Sequence, residues 1–410
     1  MIQAQKGTKD ILPEDSKTWQ MMEENALKIF NNANFQEIRT PIFEATELFA
    51  RGVGDSTDIV NKEMYTFEKA ERSITLRPEN TAGVVRAYIE NGMHRQTPPI
   101  KLWYKGPMFR YERPQAGRQR QFHQLGVEMF GSTEAIADAE CINTAVKYLN
   151  SLGLNSLDVE INSLGCSKCR ETFRNKLREL IKPNLDKYCD DCKLRYKKNP
   201  LRILDCKVPD CNELLKEAAI QELINTDFIC EECAEHFTQL KKYLDALNVK
   251  YSVNKQLVRG LDYYNRTVFE IKSNSLGSQN AVCGGGRYDG LVEMLGGPST
   301  PAVGWAMGME RLFTLIEKQS DAKLDAFVVS DNPIEALKLC EELRGQGISC
   351  DFDYSARKFK KQFEKAAKTA NYAFVLGEDE LKSNTITVKN LATATQQTIQ
   401  RNEILENLTK

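Results

Sequence analysis

The densest chemistry in the sequence lies between residues 95 and 123, where Arg95, Lys101, Lys105, Arg110, Arg113, Arg118 and Arg120 face a single acid, Glu112. Arg110 falls in a strand pattern, and Arg113, Arg118 and Arg120 fall in the adjoining basic loop RPQAGRQRQ. Guanidinium groups placed this way can grip a polyphosphate through charge-assisted, bidentate hydrogen bonds. The plainer alternative is a solvated basic face. In FHQLGVEMF a period of two puts His123, Leu125, Val127 and Met129 on one face and Phe122, Gln124, Gly126, Glu128 and Phe130 on the other. The first set can pack into a core. The second presents an amide and a carboxylate separated by a glycine, which leaves room above a sheet for a small polar ligand. A carboxylate walled by Phe122 and Phe130 suits a cationic or hydrogen-donating ring.

Further along, RGLDYYNRTVFE reads as a strand with Asp262, Tyr264 and Arg266 on one face and Tyr263, Asn265 and Thr267 on the other, behind Arg259 and Gly260. CGGGRYDG holds three consecutive glycines beside Arg287, Tyr288 and Asp289; their missing Cβ atoms permit either a tight turn or a close backbone approach to a ligand. In GWAMGMERL, Gly304 and Gly308 lie where a strand feeds a helix that carries Arg311. Eight of the 12 cysteines fall between 166 and 233 as Cys166/Cys169, Cys189/Cys192, Cys206/Cys211 and Cys230/Cys233. Such spacing fits one or two tetrahedral thiolate zinc sites, with Cys166, Cys169, Cys189 and Cys192 as candidate ligands, or reduced buried thiols. A run of Arg357, Lys358, Lys360, Lys361, Lys365 and Lys368 against Glu364 makes a basic helix.

The elements that must position these groups follow from periodicity. Trp19, Met22, Ala26, Ile29 and Ala33 share one face of a helix that begins after Pro13 and Asp15. FQEIRTPIFE carries a strand broken by Pro41, and RPENTAGVVRAYIENG predicts a helix with Pro78 in its first turn and Gly92 at its end. Alternation at Ile100, Leu102 and Tyr104, and from Phe122 to Phe130, predicts antiparallel strands joined by the basic loop. Segments such as NELLKEAAIQELI are helical, and after about residue 320 strands and helices alternate as in a small α/β module. The fold class is therefore α+β: an antiparallel sheet flanked by helices (1–165 and 251–320), interrupted by a Cys-rich helical insertion (166–250) and followed by an α/β domain (321–410).

At 410 residues the chain is too long for one small core. With 56 basic and 57 acidic residues it is no polycation, so any nucleic-acid surface must be local. No stretch approaches the ~20 apolar residues of a membrane helix, and MIQAQKGTKDILPEDS lacks the apolar core of a signal peptide. A cytoplasmic location without membrane attachment is expected. Neither a G-x-x-x-x-G-K-[ST] loop nor a G-x-G-x-x-G between strand and helix is present, so nucleotide binding would need another architecture.

Taken in order, these segments resemble the class II aminoacyl-tRNA synthetases, and among them the histidyl-tRNA synthetases of bacterial type. RTPIFE, FRYERPQAGRQRQFHQLGVE and GWAMGMERL resemble the three class motifs; LVRGLDYY and GGGRYDG resemble the two histidine-specific ones; GTKDILP matches the opening segment. The resemblance implies ATP-dependent ligation of L-histidine to tRNA(His) through a histidyl-adenylate, with Mg²⁺. It implies ATP contacts at Arg110, Glu112, Arg118 and Arg311, and histidine contacts at Glu79, Thr81, Arg110, Gln124, Glu128, Arg259, Tyr263, Tyr264 and Tyr288. Arg259 matches the catalytic arginine and acts with Arg110, while the tail resembles an anticodon-binding domain. A homodimer is implied because the first motif lies at the subunit interface in that family. Zinc is not implied. The rival reading is a noncatalytic histidine-binding relative, the regulatory subunit of ATP phosphoribosyltransferase, which usually lacks the tail and the catalytic arginine.

Overall fold

The computed structural model describes residues 2–404 apart from 55, 56, 58, 116, 227, 274–280, 320–322 and 356. The chain divides into two compact units, Met1–Gln319, with an eight-stranded and a three-stranded sheet, and Ser320–Lys410, with a five-stranded sheet. The first unit opens with the helix Pro13–Asn32, where Pro13 needs no amide donor at the first turn and Glu14 and Asp15 complement the helix dipole. Its buried stripe is Trp19, Met22, Ala26 and Phe30. Phe30 takes the place expected for Ile29 and packs against Trp103, Tyr148 and Trp305.

Eight strands form the main sheet, in the order Gln36–Glu37, Ile100–Phe109, Gln121–Phe130, Ala302–Gly308, Ala281–Arg287, Asn265–Ser273, Leu157–Ser163 and Ser252–Val253. The short edge strands pair in parallel and every inner pair is antiparallel. Both faces are covered. On one, Leu125, Val127, Met129, Trp305 and Met307 pack beneath Pro13–Asn32 and the helix Ala135–Ser151. On the other, Leu102, Tyr104, Phe130, Tyr263, Tyr264 and Tyr288 pack against the helix Thr81–Glu90. Trp305 is fully enclosed and its Nε1 donates to the Cys141 carbonyl at 2.9 Å; truncation to Ala should cost roughly 3–5 kcal/mol.

Two local expectations are corrected. The helix expected to start at Pro78 starts at Thr81. The Glu79 carboxylate accepts from the backbone N–H groups of Thr81 (2.7 Å) and Ala82 (3.0 Å), capping the first turn and leaving Pro78 outside it. The strand expected across RGLDYYNRTVFE begins only at Asn265. The Arg170 guanidinium donates to the Tyr264 carbonyl (2.5 Å) and holds the residues before Asn265 outside the ladder, while Arg266, in the left-handed region at φ 45°, lies at the register shift just inside the strand.

Helices Ser167–Ile181, Asp190–Lys198, Pro209–Leu215 and Ala218–Asn225 enclose a small core that includes Leu177, Ile181, Tyr188, Ile203 and Leu223. The helix Glu231–Ala246 returns to the main core through Leu240 and Leu244.

In the second unit Leu324–Val329 is flanked in parallel by Cys350–Phe352 and Ala370–Val375, and Thr385–Asn390 and Gln396–Gln400 add antiparallel strands. Alternation in the central strand decides which helix covers which face. Ala326 and Val328 meet the helix Pro333–Gly345, whereas Phe327 and Val329 meet the helix Phe359–Thr369. Asn332 caps the former by accepting from Ile334 and Glu335.

Candidate active site

Two joined lobes open over the tyrosine-bearing face of the main sheet, with volumes of ≈ 430 and ≈ 230 Å³. Arg110, Gln124 and Arg259 line both. The larger lobe adds Arg118, Arg202 and Arg311, giving five arginines against Glu63, Glu112 and Glu270. That excess favours an anion. The smaller lobe adds Glu79, Thr81, Tyr263 and Tyr264.

Four of the five arginines are tied from one side. Arg110 donates through Nε to the Pro78 carbonyl at 2.8 Å and lies over the Phe122 ring, so the displaced Pro78 serves as its anchor. Arg259 donates through Nη1 to Glu270 Oε2 at 2.5 Å. Burial alone would lower its pKa, but Glu270 outweighs this and keeps the guanidinium charged. Arg118 pairs with Glu112 at 3.5 Å, and Arg311 donates to the Ala281 carbonyl. Among the described residues, Arg259 Nε and Gln124 Oε1 are buried with no hydrogen-bond partner. Both belong to residues shared by the lobes, so the junction carries one unmet donor and one unmet acceptor.

The glycine triplet resolves toward close approach. Gly284, Gly285 and Gly286 lie within the extended strand Ala281–Arg287, and none has a positive φ. A Cβ on Gly284 would overlap the Arg259 guanidinium, and one on Gly304 would overlap the Glu128 carboxylate. These glycines therefore make space for the guanidinium and the carboxyl group.

Glu128 is buried beneath the smaller lobe. Its Oε1 accepts from Thr81 Oγ1 (2.7 Å) and from the Tyr104 hydroxyl (3.4 Å), and its Oε2 accepts from the Tyr288 hydroxyl. Burial pushes the Glu128 carboxyl up to about 8, although the Tyr288 and Thr81 hydroxyls oppose the shift. Burial also raises Glu79, against the lowering effect of its two backbone donors. The hydroxyls of Tyr104, Tyr263 and Tyr288 are pushed well above their ordinary value by burial, and that of Tyr264 to about 12, so all four remain donors near neutrality.

The structure thus gathers Arg110, Glu112, Arg118, Arg259 and Arg311 in the larger lobe and Glu79, Thr81, Gln124, Tyr263 and Tyr264 in the smaller, with Glu128 and Tyr288 in the layer behind. Three sequence expectations change. Phe130 stacks on Tyr88 (4.4 Å between centroids) and is no wall for a ligand, while Phe122 lies under Arg110. Tyr263 and Tyr264, expected on opposite strand faces, line the same lobe because their segment precedes the strand. Cys166, Cys169, Cys189 and Cys192 do not form one group. Cys166 and Cys169 meet Cys230 and Cys233, and Cys189 and Cys192 meet Cys206 and Cys211, with the sulfurs of each quartet all within 4.8 Å of one another. Sequence reading missed Arg202, which the short turn Pro200–Asp205 brings to the larger lobe from a segment read simply as helical, and Tyr104, read only as part of a strand.

In the second unit the basic run is partly neutralised: Arg357 pairs with Asp353, Lys361 with Glu364 and Lys365 with Asp351.

Comparison with known proteins agrees with this arrangement. The family model for histidyl-tRNA synthetase matches residues 7–312, and that for the anticodon binding domain matches 326–410. A histidine–tRNA ligase of Pelotomaculum thermopropionicum is 48% identical over 98% of this chain and 96% of its own, and one of Desulfitobacterium hafniense is 50% identical over 95% and 93%. The solved structure of the apo S. aureus histidyl-tRNA synthetase is 40% identical, covers 100% of both chains and superposes with a TM-score of 0.83. A Bacillus halodurans structure described as an ATP phosphoribosyltransferase regulatory subunit/histidyl-tRNA synthetase is only 22% identical (TM-score 0.68, covering 92% of this chain and 98% of its own) and shares the fold. A family model spanning most of the first unit, with half-identical relatives along nearly the whole length, makes this chain a member of the histidyl-tRNA synthetase family.

Proposed function

We propose that this protein joins L-histidine to tRNA(His) at the expense of ATP, through a histidyl-adenylate. The observation that carries the reading is the junction of an arginine-lined lobe with a lobe set over a buried carboxylate, where Arg110 and Arg259 belong to both. In the first step the histidine carboxylate attacks the α-phosphorus of ATP, and charge grows on the nonbridging oxygens. Arg110 and Arg259 steady that charge from two sides through their guanidinium groups. Arg118 and Arg311 hold the outer phosphates, and Glu112 lies toward the adenine. Mg²⁺ takes oxygen ligands, which Glu112 and Glu270 can offer beside phosphate oxygens, and when bound it neutralises the leaving pyrophosphate.

The histidine side chain enters the smaller lobe. Glu128 accepts one imidazole N–H, a tyrosine hydroxyl of Tyr263, Tyr264 or Tyr288 meets the other nitrogen, and Glu79, Thr81 and Gln124 receive the α-amino end. An analogue without the ring nitrogens would strand these buried groups, so discrimination is strong. In the second step the terminal ribose hydroxyl of tRNA attacks the adenylate, and no histidine of the enzyme is required.

In domain terms, 1–165 and 251–320 form the catalytic domain, 166–250 the insertion and 321–410 the anticodon-binding domain; the basic helix meets tRNA phosphates, which position without specifying. A cytoplasmic homodimer completes the reading. Support for the dimer comes from RTPIFE, where Ile42 and Phe43 stand exposed. The cysteine quartets hold structural zinc. The regulatory-subunit reading is not favoured, because the relatives similar over the full length are ligases.

The deciding experiment supplies purified protein with ATP, Mg²⁺, labelled histidine and tRNA(His). Acid-precipitable histidyl-tRNA is expected; histidine binding with no charged product would overturn the assignment.

A further inference from the structure

We propose that the two cysteine quartets are two separate tetrathiolate zinc sites, and that the second braces the turn that carries Arg202 into the larger lobe. The brace rests on the proposed function; the metal sites do not.

Each quartet unites two pairs far apart in sequence. Cys166 and Cys169 stand at the start of Ser167–Ile181, and Cys230 and Cys233 at the start of Glu231–Ala246, so the first quartet fastens the two ends of the insertion together. The second, Cys189, Cys192, Cys206 and Cys211, lies wholly within it. A zinc ion with bonds of about 2.3 Å to four sulfurs at tetrahedral angles sets the sulfurs about 3.8 Å apart, whereas a disulfide holds them at about 2.05 Å. One separation in each quartet is 3.6 Å (Cys166···Cys169) and 3.9 Å (Cys189···Cys206), and the sulfurs of each quartet all lie within 4.8 Å of one another. Those two separations match the tetrahedral edge and exclude a disulfide. Backbone amides also aim at sulfur: Cys230 N–H donates to Cys169 Sγ at 3.1 Å, and Cys189 N–H donates to Cys211 Sγ at 3.3 Å. Such donors stabilise thiolate charge. Four soft ligands with no fifth position left for a substrate define a closed, structural zinc site.

The second quartet also brackets a functional turn. Between Cys192 and Cys206 run Asn199, which donates through Nδ2 to Asp262 Oδ1 at 2.6 Å, and Arg202, which lines the larger lobe. Closing the quartet fixes both ends of that turn and so holds Arg202 on the phosphate side of the cavity, where its guanidinium meets ATP.

The test is metal analysis of full-length protein purified without chelator. Two zinc ions per chain are expected, and the paired changes Cys166→Ser with Cys169→Ser, or Cys206→Ser with Cys211→Ser, should each leave one. One zinc or none in the unaltered chain, iron in its place, or loss of both ions from one pair of changes would overturn the sites. Should the variants not fold, cobalt reconstitution of the unaltered chain decides, because tetrathiolate absorption must saturate at two equivalents. For the brace, the second-quartet variant should raise the ATP KM about tenfold, the loss of one charge-assisted bond, and leave the histidine KM within about twofold. An unchanged ATP KM with one zinc lost would overturn the brace alone. Absence of activity in the unaltered chain would count against the catalytic reading and leave the metal count to stand.

Discussion

The arginines of the cavity and the cations in and just before the helix Phe359–Thr369 are alike in the sequence and opposite in the structure. Arg110, Arg259 and Arg311 are each tied by one fixed acceptor, in a site where burial competes with charge. Arg357, Lys361 and Lys365 lie in a more exposed setting and pair with acids on their own or adjoining elements. A fixed, partly unsatisfied guanidinium can discriminate a transition state by position, whereas a solvated cation contributes chiefly through the field it adds. Substitutions in the two regions should therefore differ in kind as well as in size.

The largest effect is expected at Arg259. Arg259→Ala should lower the rate of adenylate formation by about 10³-fold, the upper range for removing one preorganised donor, and lower the unfolding midpoint somewhat because Glu270 loses its partner. A loss of less than tenfold would place the guanidinium outside the chemistry. Next comes Glu128→Gln, which keeps the shape but puts an amide NH₂ where one of the two carboxyl oxygens stands. kcat/KM for histidine should fall about 10- to 100-fold while the ATP KM stays put; equal losses for both substrates would contradict a role confined to the ring pocket.

The same substitution has a signature in stability. The folded state holds the Glu128 proton up to about 8, while the unfolded chain releases it near 4.5, so unfolding sheds a proton between those values. This group's contribution to stability therefore declines as pH rises through that window, by up to about 1.4 kcal/mol per pH unit, and Glu128→Gln should flatten the decline. Parallel stability curves for the two proteins would show that the carboxyl is ionised throughout. The smallest effect belongs to the exposed helix. Changing Lys360, Lys365 and Lys368 to Gln should leave adenylate formation intact and reduce the salt slope of tRNA binding by about 0.7–0.9 for each phosphate no longer neutralised. An unaltered slope would remove the helix from the tRNA surface.

Much of the fold was legible because period and punctuation act locally. The stripe at Trp19, Met22 and Ala26, the alternation from Phe122 to Phe130 and the strand–helix alternation after residue 320 each need only neighbours to be read. The site was legible where a motif carried its own geometry, as in CGGGRYDG, whose glycines could be read as room for an approaching group; the fold supplied Arg259. It was illegible where a distant residue decides. Arg170 holds the carbonyl that keeps Tyr264 out of the strand from 94 residues away. The partners of each Cys pair depend on tertiary structure, and so does the reach of Arg202 from a turn into the cavity.

The central claim is that one cavity holds a histidine carboxylate against the α-phosphorus of ATP, and isotope exchange tests it without tRNA. Protein incubated with ATP, Mg²⁺ and labelled pyrophosphate should incorporate label into ATP when L-histidine is added, and at background rate with any other amino acid. Exchange that is absent, or indifferent to histidine, would contradict the account.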